Sequence, residues 1–210
     1  MDGISFFERI LSSKTGLPRH FDTKRRFEPM HRLFVAVRPP ASIRERMLDL
    51  MEGVPGARWQ DDEQLHITLR FIGEVDARVA DDVAAALGTV RHPGFEITLD
   101  GIGKFGSRGR VNAIWAGVRP HDQLAHLHRK IDHALVRAGL APERRAYLPH
   151  LTLARFGREA GGLEGFLARH AGLSSPAFRV TSFELYESHL PKAGATYEMV
   201  ERYSLDSDLA

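Results

Sequence analysis

Leu65-His-Ile-Thr-Leu-Arg-Phe-Ile-Gly73 returns in the second half of the chain as Pro149-His-Leu-Thr-Leu-Ala-Arg-Phe-Gly157. Both copies are β-branched or apolar enough to form strands, and on a strand successive side chains alternate between faces. His66 and Thr68 then share one face while Ile67 and Leu69 point into the core, and His150 and Thr152 share a face above Leu151 and Leu153. Each copy holds a titratable ring and a hydroxyl about 7 Å apart at their Cα atoms. One His-x-Thr is an ordinary strand with a polar face. Two in matching contexts predict two related halves packed about a pseudo-twofold axis, with both motifs facing a shared cleft.

The segments around the motifs support that organisation. Leu33–Val37, stopped by Pro39 and Pro40, reads as a buried strand, and Ser42 as the cap of a helix from Ile43 to about Met51. Leu65–Ile72, Phe95–Leu99, Val111–Val118, Leu151–Phe156, Phe178–Tyr186 and Tyr197–Leu205 read as strands. Asp76–Leu87, His121–Ala138 and a short stretch at Leu163–Arg169 read as helices, the second closed by Gly139. The expected architecture is α+β: one bilobal domain of two antiparallel-rich sheets flanked by helices, with the cleft between them. That domain is expected over residues 30–210, with residues 1–29 an N-terminal extension, disordered or a misplaced start.

Composition narrows the chemistry. The chain has 210 residues, 43% of them hydrophobic, and at that size a single hydrophobic core is sustainable without disulfides or metals. It contains no cysteine, which removes thiolate metal sites, iron–sulfur clusters and a cysteine nucleophile. The 29 basic and 27 acidic residues nearly cancel, so any anion site must be local. No apolar run is long enough for a membrane span and no secretory leader is recognisable, so a cytoplasmic location without membrane contact is expected. A monomer is the expected state, though nothing in the sequence speaks to oligomerisation.

Two histidines facing one space near neutral pH serve acid–base chemistry. A neutral imidazole takes a proton from water while an imidazolium delivers one to a leaving oxygen, and the threonine hydroxyls donate to phosphoryl oxygens as charge grows there. The scheme requires neither metal nor cofactor and predicts a bell-shaped pH profile. From the residues alone, the acid and base roles are interchangeable. Continued alternation puts Arg70 on the face of His66 and Thr68, where it would meet phosphate by charge-assisted hydrogen bonds. The same rule sends Arg155 to the face opposite His150, so either its strand bulges or it is structural. Phe105, Tyr147 and Tyr197 are aromatics expected in the core.

Other patterns point elsewhere and fail. Gly101-Ile-Gly-Lys-Phe-Gly106 matches a dinucleotide fingerprint but leads into strand-like Val111–Trp115 rather than a helix, and reads as a glycine-rich turn that shapes a cleft wall. His121, His126, His128 and His133 fall on one helix without metal spacing and read as solvent-facing. No Gly-x-Ser-x-Gly elbow occurs.

The paired motifs, with Arg32–Pro40, Phe71–Glu74, Gly103–Gly106, Ile114–Gly117, Glu184–Ser188 and Gly194–Tyr197, resemble the 2H phosphoesterase superfamily, and within it the RNA 2′,3′-cyclic phosphodiesterases historically called 2′–5′ RNA ligases. The resemblance spans nearly all of Arg32–Leu205. It implies metal-independent hydrolysis of an RNA terminal 2′,3′-cyclic phosphate to a 2′-phosphomonoester, with His66 as proton donor and His150 as proton acceptor, assisted by Thr68 and Thr152. Arg70 and Arg155 are the candidate substrate-binding residues. The expected partner is RNA with 2′,3′-cyclic phosphate ends, tRNA fragments among the candidates. An RNA-end-binding module without turnover and a metal-dependent phosphohydrolase are the competing readings.

Overall fold

The structure, a computed structural model, describes residues 30–107, 110–157, 161–190 and 194–206. In chain order the elements are β1 (His31–Val37), α1 (Ala41–Leu48), β2 (Ala57–Trp59), β3 (Ile67–Val75), α2 (Ala77–Leu87), β4 (Phe95–Ser107), β5 (Arg110–Arg119), α3 (Asp122–Arg137), β6 (His150–Phe156), α4 (Leu163–Arg169), β7 (Phe178–Val180), β8 (Ser182–His189) and β9 (Thr196–Ser204). The strands pair antiparallel in the order β7-β4-β5-β6-β3-β1-β8-β9, with β2 added to β6. Read outward from the β3–β6 seam, β6, β5, β4 and β7 mirror β3, β1, β8 and β9. The pseudo-twofold axis passes through this seam, where Ile67 pairs with Leu151. The two expected sheets are therefore joined edge to edge into one curled sheet.

One face of that sheet is the core. Leu33, Val35, Ile67, Leu69, Leu151 and Leu153 are buried together with Val83 and Leu87 of α2 and Leu127 and Ile131 of α3. The helical spacing that identified α2 and α3 is the spacing of these buried residues. Asp76 caps α2 by accepting the Val79 N–H at 2.8 Å. Ser42, the expected cap of α1, lies inside the helix. The helix starts at Ala41 because the Pro40 carbonyl accepts the first amides, from Ile43 and Arg44, with no side-chain cap.

Three further local readings are corrected. Gly101–Gly106 is not a turn but the continuation of β4, which pairs with β5 as far as Ser107. Gly101 supplies a left-handed residue (φ +69°) at a bulge. Gly103 makes room for an indole, since a Cβ there would fall 2.2 Å from Trp115 Cζ2. Phe178–Tyr186 is two strands that pair with different neighbours, β7 with β4 and β8 with β1. His128 is buried rather than solvent-facing: Nδ1 donates to the Leu69 carbonyl at 2.7 Å, and the ring stacks on Tyr147 at 4.3 Å.

Period-two alternation fails in both motif strands at the same place. Along β1, Ala36 and Val35 are consecutive, but their β3 partners are Thr68 and Arg70, so Leu69 is an extra residue. Along β5, Trp115 and Ile114 face Thr152 and Ala154, so Leu153 is the extra residue in β6. Each bulge flips the faces of the residues beyond it. Arg70 is thereby turned away from His66 and Thr68 and buried, donating to Asp132 Oδ1 at 2.9 Å, Glu143 Oε2 at 3.3 Å and the Ala141 carbonyl at 2.6 Å. The expectation that Arg70 meets substrate is overturned, because its guanidinium pins α3 and the loop after it to the back of the sheet.

Removing one partner of a buried ion pair strands the other in a desolvated site. Arg70→Met is expected to destabilise the protein by about 3–5 kcal/mol in urea unfolding while leaving turnover per folded molecule unchanged. Lost turnover with unchanged stability would return Arg70 to the cleft.

Candidate active site

The face opposite the core is concave and carries the two motifs. Register at the seam sets their relation: with Ile67 opposite Leu151, an antiparallel pair directs His66 toward Thr152 and Thr68 toward His150. His66 precedes the first residue of β3 and His150 is the first of β6, so both rings stand where strands enter the seam.

Each imidazole is oriented by the same device. His66 Nδ1 lies 2.7 Å from the Gln64 carbonyl, and His150 Nδ1 lies 2.8 Å from the Leu148 carbonyl. A carbonyl only accepts, so in both rings Nδ1 carries the hydrogen and Nε2 is left for chemistry. Gln64 is itself held by a tight turn that sequence reading missed. Asp61 Oδ1 accepts the Gln64 amide at 2.9 Å, Gln64 Oε1 accepts the Asp61 amide at 3.1 Å, and Gln64 Nε2 reaches the Ala195 carbonyl at 2.6 Å. The Asp61-x-x-Gln64 spacing is a recognisable capping box, hidden by its position in a single short turn.

Aromatic rings wall both histidines. Phe34 and Tyr197 approach His66 at centroid distances of 4.9 and 5.2 Å, while Phe105 meets His150 edge-on at 4.8 Å with Trp115 at 6.0 Å. Of the three aromatics expected in the core, Phe105 and Tyr197 are thus beside the motif histidines, and Tyr147 is partly buried, packed on the core and stacked on His128. Burial in this cage pushes the His66 imidazolium down to about 4, with the charge of Arg155 adding to the effect and the Gln64 hydrogen bond opposing it. Burial also lowers His150, again reinforced by Arg155. Both rings are therefore neutral near pH 7 in the free protein.

Beside His66 and Thr68 the cleft opens into a cavity of about 740 Å³. His150 and Thr152 stand outside this walled part, on the neighbouring strand. Three arginines line it: Arg32, Arg58 and Arg155. Arg155 reaches the cleft because the Leu153 bulge turns it there, which decides between the two sequence alternatives. Arg58 escaped the sequence reading because β2 is only three residues long and comes after a glycine- and proline-rich turn. Among the described residues, no carboxylate lines the cavity and none of the three arginines is in an ion pair. Nor do three His, Cys, Asp or Glu side chains converge there, or elsewhere among the described residues, as a metal ion needs.

A family model for the 2′-5′ RNA ligase superfamily matches residues 60–191. The chain belongs to the 2′-5′ RNA ligase superfamily. Among curated members, the RNA 2′,3′-cyclic phosphodiesterase of Aeropyrum pernix is 34% identical over 149 residues, covering 70% of this chain and 84% of that protein. The RNA 2′,3′-cyclic phosphodiesterase of Escherichia coli is 33% identical over 184 residues, covering 83% and 96%. The apo crystal structure of E. coli LigT superposes with a TM-score of 0.69 at 31% identity, over 84% of this chain and 98% of that one. Its complex with 3′-AMP gives 0.68 at 30% identity, over 84% and 99%. The superfamily fold is thus the curled sheet described above. Among the described residues no helix is long and apolar enough to cross a membrane.

The depressed His66 value has a definite sign in stability. Above pH 6.5 the ring is neutral folded and unfolded, and nothing is lost. As pH falls from the usual 6.5 toward about 4, the unfolded chain takes up a proton that the folded state refuses, so stability declines across that window. Replacing the ring by a non-titrating amide, His66→Gln, is expected to flatten this part of the stability–pH curve. An unchanged slope would show that the ring is not desolvated.

Proposed function

We propose that this chain hydrolyses RNA terminal 2′,3′-cyclic phosphate to a 2′-phosphomonoester without a metal, using His66 as acid and His150 as base. The observation that carries the reading is the matched orientation of the two imidazoles: both Nδ1 atoms are committed to carbonyls, at 2.7 and 2.8 Å, which leaves two Nε2 atoms at one seam beside two threonines. The curated relatives named RNA 2′,3′-cyclic phosphodiesterase support the reaction class. The solved LigT complexes with 3′-AMP and with phosphate support a nucleotide phosphate as the ligand.

In this reading His150 Nε2 takes a proton from water as the water oxygen attacks phosphorus. The phosphorus–O3′ bond breaks, and the proton on His66 Nε2 passes to O3′. Thr68 and Thr152 donate to the non-bridging oxygens, and Arg155 offsets their negative charge. The products are the 2′-phosphate and a free 3′-hydroxyl. Proton exchange with solvent then restores both rings.

Environment supports this division of labour. His150 is the more open of the two rings, as a base that must meet water requires, while His66 sits deeper in its aromatic cage. A caged imidazolium is a strong acid, ready to release its proton. In the free protein it is scarcely populated at pH 7, and the anionic cyclic phosphate is what favours its protonation on binding.

The test is hydrolysis of an RNA ending in a 2′,3′-cyclic phosphate, in EDTA, by wild type, His66→Ala and His150→Ala. Full wild-type activity in EDTA, a 2′-phosphate product and a loss of about 10²–10⁴-fold in each variant are expected. Activity abolished by EDTA would favour a metal-dependent enzyme. RNA-end binding without product would make the chain a binding module.

A further inference from the structure

Two strand segments share one edge of β6. Ile67 of β3 lies opposite Leu151, Arg58 and Trp59 of β2 lie opposite Arg155 and Ala154, and the Gln60 N–H donates to the Leu153 carbonyl at 2.9 Å. Along that edge Gln60 therefore falls between His66, which is directed toward Thr152, and Arg58. Alternation along β2 turns Trp59 onto Phe166 and returns Gln60 to the face of Arg58, where both line the cavity.

Gln60 differs from its polar neighbours in this wall. It is only 9% exposed, yet among the described residues its side-chain amide makes no hydrogen bond. The amide of Gln64, by contrast, is committed to Asp61 and Ala195. Buried polar groups of folded proteins are paired, so an amide held unpaired at a cavity wall is available to a ligand. The backbone around it is fixed: its own N–H is tied to β6, and Asp61, next in the chain, caps the turn that orients His66. The second half has no counterpart. Arg144, six residues before His150 as Gln60 is before His66, is exposed and does not line the cavity.

Charge explains why an amide suits this place. Arg155 already disfavours the His66 imidazolium, and a neutral amide adds a donor beside that ring without a further positive charge. A phosphoryl oxygen only accepts, so Nε2 is the end that serves it.

We infer that Gln60 is a further substrate-binding residue, its Nε2–H donating to the non-bridging phosphoryl oxygen that Thr152 and Arg155 meet. The inference rests on reading the cleft as a cyclic phosphodiesterase site, and it adds a stereochemical consequence. The two non-bridging oxygens of the cyclic phosphate are not equivalent, because only one stands at the level of Gln60.

The experiment measures kcat/KM of wild type, Gln60→Met and Gln60→Glu on an RNA 2′,3′-cyclic phosphate and on its two phosphorothioate diastereomers, in each of which sulfur replaces one non-bridging oxygen. Sulfur accepts hydrogen bonds weakly, so wild type is expected to be slower on the diastereomer that points sulfur at Gln60. Gln60→Met keeps the length and removes the donor. It is expected to lower kcat/KM on the oxygen substrate by about tenfold or more, the effect of one hydrogen bond to a charged group. Its penalty for sulfur should shrink for that diastereomer and stay unchanged for the other. Gln60→Glu sets a carboxylate against the phosphate and should be at least as impaired. A residue that only supports the wall would slow all three substrates alike, so equal losses, or no loss, overturn the inference. If one variant fails to fold, the same ratios on the other decide it. If wild type hydrolyses none of the three, it is the hydrolytic reading that fails. Titration calorimetry with a nucleoside 2′-monophosphate then judges Gln60, which stands only if wild type binds it and Gln60→Met weakens that binding by about tenfold.

Discussion

One backbone pairing holds the molecule's two halves in register. Ile67 opposite Leu151 joins β3 to β6, and every feature of the concave face depends on that phase. A slip of one residue exchanges the two faces of a strand, sending His66 and Thr68 into the core and Leu69 into water. The core prevents it, because Ile67, Leu69, Leu151 and Leu153 are buried together with α2 and α3. The hydrophobic side of the seam thus secures the polar side.

The bulges at Leu69 and Leu153 are the second determinant. Each adds a residue just after the threonine and rotates the remainder of its strand. In β3 this buries Arg70 among Asp132, Glu143 and the Ala141 carbonyl and exposes Phe71. In β6 it delivers Arg155 to the cavity and leaves Ala154 packed inside. The first bulge is braced from behind, since the Leu69 carbonyl accepts from His128, whose ring lies flat on Tyr147. A helix histidine that looked like surface decoration therefore satisfies a carbonyl that the sheet ladder displaced.

Much of this was legible in the chain. The repeated His-x-Thr gave the halves and the seam strands, and the 3.6-residue spacing of Leu124, Leu127, Ile131 and Leu135 gave α3. The features that stayed hidden depended on register. Period-two counting assumes an unbroken phase, so it put Arg70 on the wrong face and left Arg155 undecided. Aligning the copies residue by residue shows Arg70 against Ala154 and Phe71 against Arg155, and an alanine is the residue expected on a buried face. The short β2 carries too little pattern to register as a strand, and with it Arg58 was missed. The glycine series misled because Gly101 uses its positive φ at a bulge and Gly103 uses its missing side chain for close packing against Trp115, neither of them for a turn.

The central claim is that two imidazoles act as one unit across the seam. Residues that share a single proton-transfer scheme give non-additive losses, because once one is gone the other has nothing to assist. The most direct measurement is single-turnover hydrolysis of the cyclic-phosphate RNA by His66→Ala, His150→Ala and the double variant. The account predicts that the double variant is no slower than the slower single variant. Losses that multiply would mean the two rings act independently and would contradict it.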